Sequence, residues 1–311
     1  MHPLEQSVER LAASAALGRV AQALDKMVRP VLDPAPVRTA LSGSWLGHRL
    51  HPALVLGPLA AFLSAAVLDR AGDEAGQRAA DRLLRLGLLA VGPTAAAGMS
   101  DWLHEGERAR RVGVAHAASN ILATGLAAGA VLARAAGNPQ LARTQTRCAA
   151  AVLGVGGYLG GHMSYVYGTG VARTAFLEPP GDWTRVAALD DLADGRPRRV
   201  DAGGFPIFLS ARQGRVHALA DQCNHLGCSL AEHASSFDGE SVTCGCHGSR
   251  FRVADGSVLA GPAASSQPVL DTRVRDGVVE VRKAQRDAGA GTGRVVSLTD
   301  RLKEKGAQWR G

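Results

Sequence analysis

Two short segments concentrate the metal chemistry of this 311-residue chain. They are Cys223-Asn224-His225-Leu226-Gly227-Cys228 and Cys244-Gly245-Cys246-His247-Gly248-Ser249. Each offers a thiolate and an imidazole, in the orders C-x-H and C-x-x-H. Two thiolates with two imidazoles suit a tetrahedral zinc site. They also suit a [2Fe-2S] cluster in which one iron takes sulfur and the other nitrogen, an arrangement whose potential lies above that of an all-cysteine cluster. Zinc leaves unexplained the second cysteine of each segment and the Gly-Ser after His247. Four clustered cysteines with interleaved histidines suggest a metal site rather than a disulfide-stapled domain. Cys148 stands alone, and His217 and His233 carry no motif.

The segment resembles the Rieske family over residues 180 to 285. The resemblance implies that Cys223 and Cys244 bind the inner iron, and His225 and His247 the outer, solvent-facing one. The pair Cys228 and Cys246 resembles the subgroup of cytochrome bc-type complexes, which implies a disulfide joining the two loops. Gly261-Pro262-Ala263 is similar to that subgroup's proline loop over the cluster. Leu226, Ser249, Phe251 and Pro262 are the expected tuning positions. Ser249 matches a serine whose hydroxyl bonds a cluster sulfur. Phe251 stands where the subgroup has tyrosine, so a lower potential than in respiratory carriers is expected. The 18 residues between His225 and Cys244 exceed the family's usual spacing, and Ser235 to Glu240 is where the extra length is expected. Oxygenase members of the family need a further domain with mononuclear iron. No long soluble stretch remains for one, which favours a carrier without its own substrate chemistry.

Around these loops, short runs such as Phe205 to Ser210, Val216 to Ala220 and Val278 to Val281 are bounded by Gly, Asp and Asn, predicting a small antiparallel β domain over 183–285. Upstream, Leu50–Leu68, Leu86–Ser100, Val112–Ala133 and Cys148–Ala172 are nearly free of charge. They predict four transmembrane helices in a domain over 41–172, with Arg85 snorkelling beside the second. The rival is a soluble four-helix bundle, because Ala and Gly dominate and mean hydropathy is 0.00. The run Gly154, Gly156, Gly157, Gly160 and Gly161 would let membrane helices approach closely. Residues 1 to 34 read as one amphipathic helix, with Leu17, Val20, Leu24, Met27 and Val31 at helical spacing and Pro30 and Pro34 ending it. It would lie on the membrane or on a neighbouring subunit, within a helix-and-linker region over 1–40; residues 35 to 49 read as turn-rich. Arg173 to Asp182 reads as a linker and 286–311 as a flexible tail. No secretory signal pattern is visible at the start. The fold class expected is α + β multidomain: a four-helix transmembrane bundle followed by an all-β Rieske domain.

The net charge of +7 comes mostly from arginines scattered between apolar stretches. That pattern fits loops beside a membrane rather than a nucleic-acid surface. Antiparallel threading places His48, His51, His104, His116 and His162 on one membrane side, the side from which the β domain emerges, with Trp45, Trp102, Tyr165, Tyr167 and Trp183 at that level. Trp45-Leu46-Gly47-His48 with His51-Pro52, Asp101-Trp102, Arg111 to His116 and Gly160-Gly161-His162 together resemble an uncharacterised bacterial four-helix membrane family. Its members occur fused to Rieske domains; the resemblance covers residues 40 to 172 and implies no activity.

Ionisable groups inside a membrane are functional candidates by default. His51, His116 and His162 are therefore a candidate haem b or quinone site, against the alternative that they hydrogen-bond between helices. Covalent haem is excluded because no C-x-x-C-H occurs. The expected function is a multi-pass cell-membrane electron carrier, passing single electrons between a quinol or haem site and a redox protein. If enzymatic, it would be part of a quinol-oxidising oxidoreductase; a redox sensor or scaffold is the alternative. Expected partners are lipid and a redox protein or quinone, with no nucleic acid. Arginines near helix ends divide evenly between the two sides, so they do not orient the chain.

Overall fold

A computed structural model describes residues 2–212 and 214–285, so the tail expected over 286–311 lies outside the described residues. The chain divides into two units. One holds Met1–Ser42 and Arg49–Gly170; the other holds Val171 onward, with Gly43–His48 grouped to it.

In the first unit, the single N-terminal helix expected over residues 1 to 34 is replaced by α1 (Pro3–Ala13) and α2 (Ala15–Leu32), and α3 (Ala35–Ser42) follows. The break falls at Ser14, whose backbone is extended and whose hydroxyl accepts the Leu17 N–H at 3.3 Å. Such an N-cap starts a new helix instead of continuing the old one. Pro30 does not end α2, which runs on to Leu32, and the Asp33 N–H still donates to Arg29 O at 3.0 Å. The turn-rich reading of 35 to 49 is corrected by α3. Pro36 falls in its first turn, where the missing N–H has no intrahelical partner to lose.

Beyond lie α4 (Leu50–Leu54), α5 (Leu56–Ala71), α6 (Glu74–Trp102), α7 (Glu107–Ala135) and α8 (Pro139–Tyr165). Asp73 caps α6 by accepting the Gly76 N–H at 2.7 Å, and Asn138 caps α8 through the Leu141 N–H at 3.0 Å. Among the described residues three segments are long and apolar enough to cross a membrane: Leu50–Arg70, Glu74–Trp102 and Glu107–Ala135. A helix of 29 residues is about 43 Å long, more than a hydrocarbon core of about 30 Å. The fourth span, expected over Cys148–Ala172, is not among the three segments. In α8 the opening turns carry Gln140, Arg143, Gln145 and Arg147, and five glycines dilute the apolar remainder.

Packing among these helices uses glycine as a socket. A Cβ on Gly87 would come within 2.5 Å of Phe62 Cε1, and one on Gly113 within 2.5 Å of Trp102 Cδ1. Small residues let helix backbones approach where no solvent drives them together. Outward, Val67, Leu89, Ile121 and Leu132 are 69%, 78%, 72% and 69% exposed. The fully buried Asp69 pairs with Arg134 between α5 and α7.

Among the described residues the second unit has ten strands: β1 (Thr184–Ala188), β2 (Arg198–Ala202), β3 (Phe205–Arg212), β4 (Arg215–Ala220), β5 (Ala234–Phe237), β6 (Ser241–Cys244), β7 (Arg250–Arg252), β8 (Val258–Ala260), β9 (Val269–Arg275) and β10 (Val278–Lys283). They form a six-stranded sheet, β1-β10-β9-β4-β3-β2, and a four-stranded sheet, β5-β6-β7-β8. Side chains alternate across a strand, and here both faces of β3 and β4 are used. Ile207, Leu209, Val216 and Ala218 join Leu270, Val279 and Val281 in one core. Phe208 and its register partner Leu219 point the other way, into a core with Val242, Phe251, Cys223 and Cys244. The small sheet and its cysteines are thus fixed against the large one. The expected linker is pinned to this unit: the Arg173 N–H donates to Asn224 O at 2.9 Å, Leu177 packs on the first core, and the Lys283 N–H donates to Pro180 O at 2.6 Å.

Candidate metal centre

The two cysteine–histidine segments are the same backbone loop built twice. In the first, the Cys223 N–H donates to Cys228 O and the Gly227 N–H to Cys223 O, both at 2.8 Å. In the second, the Cys244 N–H donates to Ser249 O and the Gly248 N–H to Cys244 O, again at 2.8 Å. Each loop turns on a glycine at positive φ, 89° at Gly227 and 79° at Gly248, where a side chain would be strained. This closure wraps each loop around its first cysteine. Cys223 Sγ accepts the N–H groups of His225 and Leu226, and Cys244 Sγ those of Cys246 and His247.

Both thiols are buried, at 2% and 1% exposure, and they hydrogen-bond each other. That bond dominates their acidity in opposite senses. The hydrogen bond from Cys223, with the two N–H donors, holds the Cys244 thiol down at about 6 despite burial. The same bond, with burial, pushes the Cys223 thiol up. Beside them the His225 and His247 rings meet edge to face, centroids 5.1 Å apart. His225 is buried and His247 half-buried. The imidazole edge is therefore less open than the solvent-facing one the family resemblance implies, since His225 packs against its partner ring. Two convergent buried thiols, four N–H donors aimed at sulfur and two adjacent imidazoles fit the donor set of a mixed-ligand [2Fe-2S] cluster.

Cys228 and Cys246 form a disulfide joining the two loops. Their sulfurs and Cys244 Sγ lie within 4.8 Å of one another, but the bonded pair has no thiolate to offer a metal. Ser249 is 1% exposed, and its Oγ accepts the Ala263 N–H at 3.0 Å, tying the second loop to Gly261-Pro262-Ala263. Phe251 is fully buried among the residues around Cys223 and Cys244, Pro262 is buried and Leu226 half-buried.

Two functional positions escaped the sequence reading. Gln267, fully buried, accepts the Asn224 N–H at 3.1 Å through Oε1, and its Nε2 donates to Ala220 O at 2.7 Å and Gln222 O at 2.6 Å. Asn224, between Cys223 and His225, donates from Nδ2 to the carbonyls of Ser265 and Ser266. Together they stitch the first loop to the proline loop. No spacing rule pairs residues 43 apart, so neither had a sequence signal.

Residues 182–275 match the family described as Rieske [2Fe-2S] domain, and residues 47–173 match Predicted membrane protein (DUF2231). Ferredoxin CarAc of Metapseudomonas resinovorans is 31% identical over 100 residues, which are 32% of this chain and 92% of that protein. The chain belongs to the Rieske [2Fe-2S] family. The ferredoxin component of the p-cumate 2,3-dioxygenase system of Pseudomonas putida is 34% identical over 82 residues, 26% of this Rieske protein and 69% of the ferredoxin. The terminal oxygenase component CarAa of Sphingomonas sp is 30% identical over 77 residues, 25% of the chain, and the match spans only 20% of that component. Among solved structures, the ferredoxin of carbazole 1,9a-dioxygenase from Nocardioides aromaticivorans IC177 aligns at 25% identity and TM-score 0.31, covering 34% of this chain and 99% of that one. By its family matches and ferredoxin relatives, the chain is an electron-transfer Rieske protein with a DUF2231 predicted membrane protein domain.

The membrane histidines occupy separate helix contacts. His51 Nδ1 lies 3.0 Å from Thr94 O, its ring against Gly98. His116 Nδ1 lies 2.8 Å from Gly156 O and Nε2 3.1 Å from Asn120 Nδ2, its ring over Gly160. These contacts account for both rings as helix-to-helix hydrogen bonds, the alternative weighed for the expected haem or quinone set. His162 is buried between Tyr158 and Tyr167, and its Nε2 has no hydrogen-bond partner among the described residues. His104 pairs with Asp33 at 3.1 Å, and His48 is exposed.

Proposed function

We propose that this chain is a membrane-anchored one-electron carrier that binds a [2Fe-2S] cluster through Cys223, Cys244, His225 and His247. The observation that carries the reading is the pair of equivalent loops, which bury two hydrogen-bonded thiols and bring two imidazoles into contact. A bound cluster of this type supplies reversible one-electron storage at a potential raised by nitrogen ligation.

The chain's own groups set the conditions for that storage. N–H groups of His225, Leu226, Cys246 and His247 stabilise negative charge on the two sulfurs. Ser249 Oγ already accepts from Ala263, so its hydroxyl hydrogen remains to be donated toward a sulfur. Phe251, Pro262 and Leu226 keep water from the thiol side. His247, the more exposed imidazole, is the side on which a partner would exchange electrons.

The ferredoxin relatives belong, by their names, to oxygenase systems. This chain adds a helical unit with three segments apolar enough to span a bilayer. That addition supports a donor held in the membrane, a quinol, and an acceptor redox protein. His162, whose Nε2 has no hydrogen-bond partner among the described residues, is the contact to test for the quinol. The experiment is anaerobic stopped-flow reduction of protein in lipid nanodiscs, by quinol and by a soluble flavin reductase, followed through cluster absorbance. Rapid reduction by quinol, slowed by His162→Ala, is expected. Reduction by the soluble reductase alone would overturn the membrane-donor reading.

A further inference from the structure

We propose that α2 is an in-plane helix whose outer stripe rests in an anionic lipid leaflet, a proposal that rests on the membrane reading above. The helix carries two neighbouring apolar stripes. Leu17, Ala21, Leu24, Val28 and Leu32 pack inward against Met99, Trp102, Leu103 and Val114. One position earlier, Ala16, Val20, Ala23, Met27 and Val31 repeat at spacings of three and four. At 3.6 residues per turn they form a second stripe about 100° from the first. The chain leaves this second stripe uncovered: Val20, Met27 and Val31 are 45%, 72% and 65% exposed.

The polar side of α2 divides just as sharply. Its acidic residue Asp25 is held by Arg29 at 2.6 Å and Arg110 at 2.9 Å, and Arg29 also donates to Leu103 O at 2.8 Å. These ties fasten the helix to the α6–α7 turn. Arg19 and Lys26 are exposed, flank the outer stripe and have no ion-pair partner among the described residues. The uncovered part of α2 is therefore apolar with a positive border.

An anionic bilayer surface fits both halves of that description. Interfacial helices bury an apolar stripe at the acyl boundary while Lys and Arg reach the headgroups. The position also agrees. α2 packs where α6 ends and α7 begins, beside Trp102, at the level where a spanning helix leaves the hydrocarbon. Farther along the same two helices, Leu89 and Ile121 are exposed apolar residues facing the proposed bilayer. The outer stripe of α2 continues that surface into the headgroup layer.

The test inserts tryptophan singly as Val20→Trp, Met27→Trp, Gln22→Trp and Leu89→Trp in the full chain, reconstituted in vesicles of phosphatidylglycerol and phosphatidylcholine. Each fluorescence increment over the parent protein is measured with brominated lipid and with aqueous acrylamide. The proposal expects bromolipid to quench the residues introduced at positions 20, 27 and 89, and acrylamide to quench the one at 22. It also expects Arg19→Glu with Lys26→Glu to weaken bromolipid quenching at 27 when the brominated lipid is the anionic one. Quenching at 89 but acrylamide access at 20 and 27 would overturn the proposal and leave the membrane reading intact. Protection at 20 and 27 from both quenchers, with chemical cross-linking to a dimer, would overturn it in favour of a second copy. Absence of lipid quenching at 89 would overturn the membrane reading itself.

Discussion

Replacing Gln267 with methionine keeps the side-chain length and deletes three hydrogen bonds inside the cluster domain. It leaves the Asn224 N–H and the carbonyls of Ala220 and Gln222 buried without their partner. A buried group stripped of its hydrogen bond costs about 1–3 kcal/mol, so the three cost about 3–6 kcal/mol after some relaxation. A domain's whole stability is about 5–15 kcal/mol, so the variant still folds with a reduced margin. All three orphaned groups lie within three residues of Cys223, so the loss falls on opening of the first ligand loop. If that opening gates cluster release, even the lower bound of about 3 kcal/mol speeds release about 100-fold. The assay is bleaching of cluster absorbance under an iron chelator, with Ser266→Ala as control because only the Ser266 backbone oxygen is used. Release within about threefold of the parent rate, equivalent to under about 0.7 kcal/mol, would refute the clamp.

Phe251→Tyr should raise the cluster potential in film voltammetry, because a hydroxyl placed beside the buried cysteines adds a hydrogen bond to cluster sulfur; an unchanged or lower potential counts against this. Gly87→Ala should destabilise the helical unit by about 1–3 kcal/mol through overpacking against Phe62. Gly92→Ala, with nothing within 4 Å of its Cβ, should be neutral or stabilising; thermal unfolding in detergent compares them. Asp238 accepts the N–H groups of Ser241 and Glu240, which lower its carboxyl from 3.8 to about 2. Its stabilising contribution is thus complete above 3.8 and lost as pH falls toward about 2. The stability deficit of Asp238→Asn should be present at neutral pH and narrow as pH falls below 3.8, as read by denaturant unfolding of the cluster domain in the intact chain.

The two cysteine–histidine segments were legible because donor chemistry shows directly in residue type. The choice of Cys223, His225, Cys244 and His247 as expected ligands, like the Cys228–Cys246 pairing, came from family resemblance. The equivalence of the two loops was hidden, since histidine falls two residues after cysteine in one and three in the other. What they share is a backbone closure that side-chain spacing does not record. Gln267 and Asn224 were invisible for the same reason. In the helical unit, charge-free runs located the long helices, but the glycines and arginines of α8 made it less apolar than the others. The N-terminal periodicity pointed to one amphipathic helix. The Ser14 cap that divides it depends on one hydroxyl competing for a backbone N–H.

The most direct test of the central claim is low-temperature electron paramagnetic resonance of the dithionite-reduced protein, with iron and acid-labile sulfide measured on the same sample. The account predicts iron and sulfide in equal amounts and a rhombic signal whose average g lies below that of all-cysteine [2Fe-2S] clusters, as nitrogen ligation by His225 and His247 requires. Freshly purified protein that contains zinc but neither iron nor labile sulfide would contradict it.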